Sequence, residues 1–546
     1  MRTLLVNPAH PQTFWSMNKV IKMTGKKAFV PPLGLITLAS LLPNDWESEL
    51  VDMVFQEISE SQWNQSELIM ISGMTVQRKG IIEVIKEAKK RGKTVVVGGS
   101  FSFHAPEEIL QVGADIVVKG EAEVHIGELL TGIKKKDFGR IIQSDERADM
   151  TKSPPPRFDL LDLKSYLDIG VQFTRGCPFK CEFCDVTLML GSKMRAKTPD
   201  QVLQELEILY NLGWRGLVFF VDDNFIGSVR KTKELLKELI SWTENRRRPF
   251  KFSTQASVNM AADEKLMEDM FRAGFISVFI GVETLDEECL KDAGKLQNVN
   301  IDLDQVVHKI SKAGFQVIAG TILGFDDEKS GAGQRLIDFA QRNHIPEVFS
   351  TLLQAGPGTD LYTRLKSEGR LLSIDKENIS NQTGLINFVP TRPLEEIANE
   401  FVSLYDTLYE PEAYLERAYY HYAEMDPPMT MPLKMPYLWE LRTLGIVIYR
   451  NGILYPTRLK FWKYLLKAIW KFPTRLDRFI SSLVVAEHYY DFKNVIHSSI
   501  QSQLKELSRE LKNNYYTRPV MECNCKTVVE SIDQYENTKK TIVRSL

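Results

Sequence analysis

The first 120 residues are a series of short apolar runs separated by stretches of helical period. Arg2–Asn7 (RTLLVN) stops at Pro8. Trp46–Asp52 (WESELVD) alternates like a strand. Glu67–Gly73 (ELIMISG), Thr94–Gly98 (TVVVG) and Asp115–Val118 (DIVV) complete five strands. Pro32–Leu42 and Gly80–Arg91 read as helices, the second with basic residues near its C-terminus, where the helix dipole favours them. Strands joined by helices pair in parallel, which gives an α/β, doubly wound, flavodoxin-like sheet over residues 1–148. Ligands of such sheets sit at the carboxyl ends of the strands. The residues there are Asn7 and Pro8, then Ser72, Met74 and Thr75, then Gly98 and Gly99, then Gly120 and Glu121. Paired glycines let a backbone approach a bulky ligand closely.

A polar stretch with three consecutive prolines, Asp149–Arg157 (DMTKSPPPR), cannot continue a helix and marks a linker over 149–168. Strand-like runs then recur at Gly170–Thr174, Gly216–Val221, Lys251–Gln255, Ser277–Val282, Gln316–Leu323 and Val348–Leu353. Helical patterns fall between them at Pro199–Leu212, Thr232–Glu244, Glu264–Ala273 and Leu303–Ala313. Six such units predict a partial (β/α)6 barrel over 169–375, with its chemistry at the carboxyl ends of the strands. Those ends carry Asp222, Asp223 and Asn224, then Ser257 and Asn259, then Glu283, then Gly324, Phe325 and Asp326.

The alternation stops beyond about 376, and the rest reads as a mostly helical extension to 546. Leu394–Leu408 has helical period, Asp426–Pro436 reads as loop, and Arg458–Lys471 (RLKFWKYLLKAIWK) is a basic amphipathic helix ended by Pro473. Such a helix either packs on the barrel with its lysines in water or lies on an anionic membrane surface.

Charge narrows the function classes. The 546 residues carry 69 Lys and Arg against 71 Asp and Glu, a net charge of −2, which argues against nucleic-acid binding driven by a large positive field. No apolar run reaches the roughly 18–20 residues a spanning helix needs, and the N-terminus lacks a signal-like core, so a cytoplasmic protein, or one peripheral to the inner membrane face, is expected.

Three of the six cysteines fall within eight residues, in VQFTRGCPFKCEFCD: Cys177, Cys181 and Cys184, spaced C-x3-C-x2-C. In a reducing compartment such a cluster reads as metal binding. Three thiolates can hold three irons of a [4Fe–4S] cube, and the fourth iron, without a protein ligand, can chelate S-adenosylmethionine. An electron from the reduced cluster then breaks a C–S bond and yields a 5′-deoxyadenosyl radical. The alternative is a structural zinc site, which wants four ligands; no second pair lies nearby, and His125 is the nearest histidine before the cluster.

The spacing, with Phe183 before the last cysteine, resembles the signature of the radical S-adenosylmethionine superfamily. The N-terminal phrases PPLGLITLASLLP (31–43), GGSFSFHAPEE (98–108) and GEAE (120–123) resemble the cobalamin-binding domain of many of its members. TFWS (13–16), GKKA (25–28), AKTPDQVL (196–203), GWRGLVFFVDDNFIG (213–227), FIGVET (279–284) and LLQAGPGTDLY (352–362) resemble the hopanoid C-2 methylase type over about residues 1–420.

The resemblance implies cobalamin against those strand-end residues of the first domain. It places S-adenosylmethionine near Phe183 and Asn224, with Asp222 or Asp223 on its ammonium, Ser257, Asn259 and Glu283 on its ribose and carboxylate, and Gly324 near its adenine. It implies C-methyl transfer to an unactivated carbon of a small-molecule or lipid substrate, with an electron donor such as ferredoxin or flavodoxin; radical oxidation, cyclisation or rearrangement is the alternative chemistry. The chain departs from the pattern in two places. No Asp-x-His-x-x-Gly follows the first strand, so His10 reads as a loop residue and not a cobalt ligand. Gln255 stands where that group often has Glu. The tail from about 510, with Cys523 and Cys525, has no counterpart, and those two and Cys289 read as incidental.

Overall fold

A computed structural model describes residues 1–372, 382–431 and 438–517. The change from barrel to extension near 376, part of the loop expected at 426–436, and the tail with Cys523 and Cys525 lie outside the described residues.

The N-terminal sheet contains β1 (Arg2–Asn7), β2 (Glu47–Asp52), β3 (Leu68–Ser72), β4 (Thr94–Gly98), β5 (Ile116–Lys119) and β6 (Arg140–Gln143). All pair in parallel in the order β2-β1-β3-β4-β5-β6. The central strands are apolar on both faces because helices cover both sides; Leu4, Leu5 and Val6 are fully buried. The strand order reverses at β1 and β3, which opens a crevice beyond their carboxyl ends.

The second sheet uses β7 (Asp168–Val171). A two-residue hairpin, β8 (Thr174–Arg175) with β9 (Arg195–Ala196), follows outside the sheet. The remaining strands are β10 (Leu217–Phe220), β11 (Lys251–Ala256), β12 (Phe275–Glu283), β13 (Gln316–Leu323) and β14 (Glu347–Leu352). The order β14-β13-β12-β11-β10-β7, parallel throughout, is the expected six-stranded partial barrel. Its helices start where the sequence supplies caps. Thr198 and Gln201 form a capping box ahead of Pro199–Asn211, and Asp263 and Asp302 accept from the first-turn amides of Glu264–Ala273 and Leu303–Lys312.

The extension consists of helices Leu394–Leu408, Pro411–Glu424, Leu438–Tyr449, Arg458–Lys471 and Leu476–Thr517, with a single π-turn at Arg450–Leu454. The segment after β1 crosses from the first sheet into this assembly. Phe14 is fully buried and stacks on Tyr489 with ring centroids 4.5 Å apart, and its carbonyl is hydrogen-bonded to His488 Nε2 at 2.9 Å. Trp15 meets Phe279 of β12 at 5.9 Å. The TFWS phrase is therefore a wedge that binds N-terminal chain, barrel and C-terminal helix into one core.

Candidate active site

The cysteine loop springs from β8, and its shape is fixed by its neighbours. Gly176 has φ +94°, and a Cβ there would stand 2.7 Å from the Gly191 carbonyl, so only glycine fits this turn. Asp222, at the end of β10 and fully buried, turns back beneath the loop. Its Oδ1 accepts from the amide of Phe173 at 3.0 Å and from that of Thr174. Burial pushes its pKa up to about 7 despite these bonds. Asp222 is thus a brace, through Oδ1, for the loop that carries the thiols, while its buried Oδ2 has no hydrogen-bond partner among the described residues. Asp223 is different. It makes no ion pair among the described residues, lies near Cys177 and Asp185, and burial together with the Asp185 charge lifts its carboxyl to about 6. A largely buried carboxylate without a cation is a suitable partner for an ammonium group.

The three thiols are partly exposed, and burial raises the pKa of each, that of Cys184 to about 12. Among the described residues no three His, Cys, Asp or Glu side chains converge on a single-ion site. Thiols that each bind a different iron of a cube stand farther apart than ligands of one tetrahedral zinc, so this donor set fits the cluster.

A second loop, which the sequence reading did not single out, closes over the first. The Gln297 amide points at Cys181 Sγ from 3.9 Å, Glu182 N–H donates to the Ala293 carbonyl at 2.9 Å, and Gly294 lies so close to Lys180 that a Cβ would stand 2.7 Å from its carbonyl. Lys295 is buried here, and its Nζ is 2.5 Å from Glu283 Oε1. Its charge works against the burial that raises the Cys177 and Cys181 thiols. Glu283 sits at φ +63°, where the register of β12 and β13 shifts. The loop is over a hundred residues from the cysteines in sequence, and only the barrel's closure brings them together.

Asn224, Ser257 and Asn259, from the ends of β10 and β11, do form one polar chain. Asn224 Nδ2 donates to Ser257 Oγ at 3.2 Å, and Ser257 Oγ donates to Asn259 Oδ1 at 2.5 Å. Phe183 packs edge-on against Phe325 at 5.8 Å. Gly324, expected near the adenine, also has a packing reason to be glycine. With φ +99°, the place of its missing Cβ lies 2.4 Å from Ile386 Cδ1 and 3.5 Å from Ile397, so this glycine admits the extension against the barrel.

A cavity of about 2650 Å³ joins the edge of the first sheet, the cysteine loop and the barrel interior. Usual ligand pockets hold roughly 300–1,000 Å³, so several groups fit at once. Asn7, Met74 and Thr75 line it, as do His10, Phe183, Gln255, Phe279 and Phe349. Met74 is exposed and Asn7 is fixed by Asp52 at 2.8 Å, a broad, partly apolar ledge at the switch point that suits a large flat macrocycle.

Pro8, Ser72, Gly98, Gly99, Gly120 and Glu121 do not line it. Two have evident other work. Gly99 packs on Gly73, whose carbonyl would be 2.7 Å from a Cβ. Glu121 pairs with Arg175 at 2.8 Å and with Arg195 at 2.9 Å, and Glu123 takes the other arm of Arg175 at 2.8 Å. GEAE is therefore a clasp between the first sheet and the root of the cysteine loop. His104 makes a further bridge, 3.0 Å from Asp185, the residue after Cys184.

A six-stranded barrel with an open three-thiol loop at the carboxyl ends of its strands defines a radical S-adenosylmethionine enzyme. The family model "Radical SAM superfamily" matches residues 171–340, "B12 binding domain" matches 26–130, and "Domain of unknown function (DUF4070)" matches 359–502. The uncharacterized methyltransferase sll1242 of Synechocystis is 45% identical over 93% of this chain and 95% of its own. Hopanoid C-2 methylase of Rhodopseudomonas palustris is 30% identical over 89% and 92%. The solved structure of the radical S-adenosylmethionine methyltransferase TsrM from Kitasatospora setae, with cobalamin and [4Fe-4S] cluster bound, superposes with a TM-score of 0.58 at 14% identity, over 88% of this chain and 99% of that one. OxsB, with aqua-cobalamin and S-adenosylmethionine bound, gives 0.57 at 16%, over 98% and 83%. The chain belongs to the cobalamin-dependent radical S-adenosylmethionine enzymes, and its cofactors are a [4Fe–4S] cluster, S-adenosylmethionine and cobalamin.

Proposed function

We propose that this protein methylates an unactivated carbon of an apolar small-molecule or lipid substrate held between the cysteine loop and the N-terminal sheet. The observation that carries this reading is the single cavity shared by Met74 and Thr75 on one side, Phe183 and Asp185 on another and Phe279 and Phe349 within the barrel. When bound, the cluster supplies the electron that cleaves S-adenosylmethionine, and cobalamin carries the methyl group.

The chain's own residues position these groups. Cys177, Cys181 and Cys184 hold three corners of the cluster and leave the fourth open. Asp223 takes the ammonium of S-adenosylmethionine, the Asn224–Ser257–Asn259 chain meets its ribose hydroxyls, and Glu283 offers the oxygen that Lys295 leaves free. Phe183 packs beside the reacting end, and Asn7, Met74 and Thr75 face the corrin. The apolar barrel wall excludes water from the reacting carbon. The division of labour follows residues 1–148 for cobalamin and 169–375 for the cluster, with 376–546 as the helical extension. A one-electron donor of the ferredoxin or flavodoxin class reduces the cluster. No described helix is long and apolar enough to cross a membrane.

The test is incubation of the anaerobic holoenzyme with S-adenosylmethionine deuterated in its methyl group and an apolar extract from a strain lacking the protein. The expected result is a product heavier by one labelled methyl in place of hydrogen. Loss of hydrogens, or an unchanged mass with consumption of S-adenosylmethionine, contradicts methyl transfer and supports a radical oxidation or rearrangement.

A further inference from the structure

The extension leaves an unusual surface. Ten of the seventeen exposed large apolar side chains among the described residues fall between Trp439 and Trp470. They are not scattered. At about 100° per residue the helix Arg458–Lys471 divides into three sectors. Phe461, Tyr464, Leu465 and Ala468 form the buried one. Lys460, Lys463, Lys467 and Lys471 form a second, about a third of the way round. Leu459, Trp462, Leu466, Ile469 and Trp470 form the third, and it faces solvent: Trp470 is 87% exposed, Leu459 79% and Leu466 65%. The sequence reading had one apolar and one basic face; the structure splits the apolar residues between the core and the outside.

The π-turn widens this face. Ile453 and Leu454 are both more than half exposed, and the turn is held to the helix by Trp462, whose Nε1 donates to the Gly452 carbonyl at 2.9 Å. Lys460 is paired with Glu412, whereas Lys463, Lys467 and Lys471 have no ion pair among the described residues. Leu441 and Ile469 are each about half exposed and also line the active-site cavity, so the cavity opens onto this patch.

We propose that this face docks on an anionic bilayer, with the Leu459–Leu466–Trp470 sector in the acyl boundary and the lysine row at the headgroups, which sets the cavity mouth at Leu441 and Ile469 against the lipid. Three observations select a bilayer. The patch is apolar yet flanked by unpaired cations on one side, a tryptophan lies at its most exposed point, and it is continuous with an apolar cavity. The docking itself stands on the patch; its use in delivering substrate rests on the reading of an apolar substrate above.

The experiment is flotation of the full-length holoenzyme with vesicles of phosphatidylglycerol and phosphatidylcholine, beside vesicles of phosphatidylcholine alone. The native protein floats with the anionic vesicles. The variant Leu459→Ser/Leu466→Ser/Trp470→Ser, altered only at strongly exposed positions, keeps its melting temperature and its cluster and does not float. Lys463→Gln/Lys467→Gln weakens binding by more than about tenfold, and added salt weakens the native protein in the same direction. Absence of flotation by the native protein, or flotation unchanged in the triple serine variant, overturns the proposal. So does a native protein that ignores vesicles but forms a dimer that the serine variant abolishes. Vesicle binding requires no turnover, so its failure leaves the methyl-transfer reading standing, and a failure of methyl transfer leaves docking standing.

Discussion

Arg175 offers the sharpest test of how the first sheet is tied to the cysteine loop. Its guanidinium divides between Glu121 and Glu123, and all three side chains are at most 13% exposed. In Arg175→Met the apolar stem remains and the charge goes. Glu121 keeps Arg195, but Glu123 is left with only Ser153 Oγ at 3.2 Å. Removing one partner of a buried ion pair costs about 3–5 kcal/mol, most of it from the stranded charge, and the surviving Arg195 places this case near the lower end. The double variant Arg175→Met/Glu123→Gln removes the stranded charge as well. It should be less damaged than the sum of its single changes by about 1–3 kcal/mol. Arg175→Lys should rescue poorly, because a single ammonium does not reproduce the two-armed fork.

The pH dependence has a definite sign. Burial alone would raise the Glu123 carboxyl, but Arg175 holds it below its usual range. A depressed carboxylate contributes stability that is present above its unfolded value of about 4.3 and is lost as pH falls through the lower folded value. The gap between native protein and Arg175→Met should therefore be full at pH 7 and shrink below about pH 4. The assay is denaturant unfolding of the full chain, read at the transition in which the first sheet separates. A loss below about 0.5 kcal/mol in Arg175→Met, or strict additivity with Glu123→Gln, would refute the clasp.

Three further outcomes follow from single contacts. Gly324→Ala should destabilise by about 1–3 kcal/mol through the clash with Ile386 Cδ1, and Ile386→Val, which removes that atom, should recover part of the loss in thermal melts. Glu347 is buried against Tyr489 at 2.6 Å, and burial lifts its carboxyl to about 7. A raised carboxyl gives its full stability below the unfolded value near 4.3 and loses it as pH rises through the folded one, so Glu347→Gln should gain on the native protein in melting temperature between pH 5 and pH 8; a constant difference would contradict this. Lys295→Met removes the cation beside Cys181 and Cys184 and strands Glu283, so the cluster's midpoint in an EPR-monitored redox titration should move to more negative potential. An unmoved midpoint would take Lys295 out of the site's electrostatics.

Much of the architecture was legible because its signals are local. Parallel strands covered on both faces must be apolar throughout, so RTLLVN, LIMIS and TVVVG announce themselves, and the thiol spacing lies within one loop. What was missed depends on closure in three dimensions. β6 is four residues, RIIQ, at a sheet edge, and the β8–β9 hairpin pairs two residues with two; neither carries enough pattern to be seen. Asp222 and Asp223 are chemically identical neighbours, and only the path of the chain at Phe173 and Thr174 turns one beneath the loop and leaves the other beside Cys177. Lys295 and Gln297 approach the thiols from over a hundred positions away, and the pairing of Glu121 with Arg175 and Arg195 spans more than fifty. In the helix at 458–471 the periodicity was plain, but which apolar residues face the core is decided by the helices around it.

The central claim is that three cysteine thiols hold an iron–sulfur cube with one iron open to S-adenosylmethionine. EPR of the anaerobically reconstituted, reduced full-length protein before and after addition of S-adenosylmethionine tests it most directly. About four irons per chain, with a signal that shifts on addition and vanishes together with the iron in Cys181→Ala, is the expected result. A signal indifferent to S-adenosylmethionine, or a colourless protein holding one zinc per chain, would contradict it.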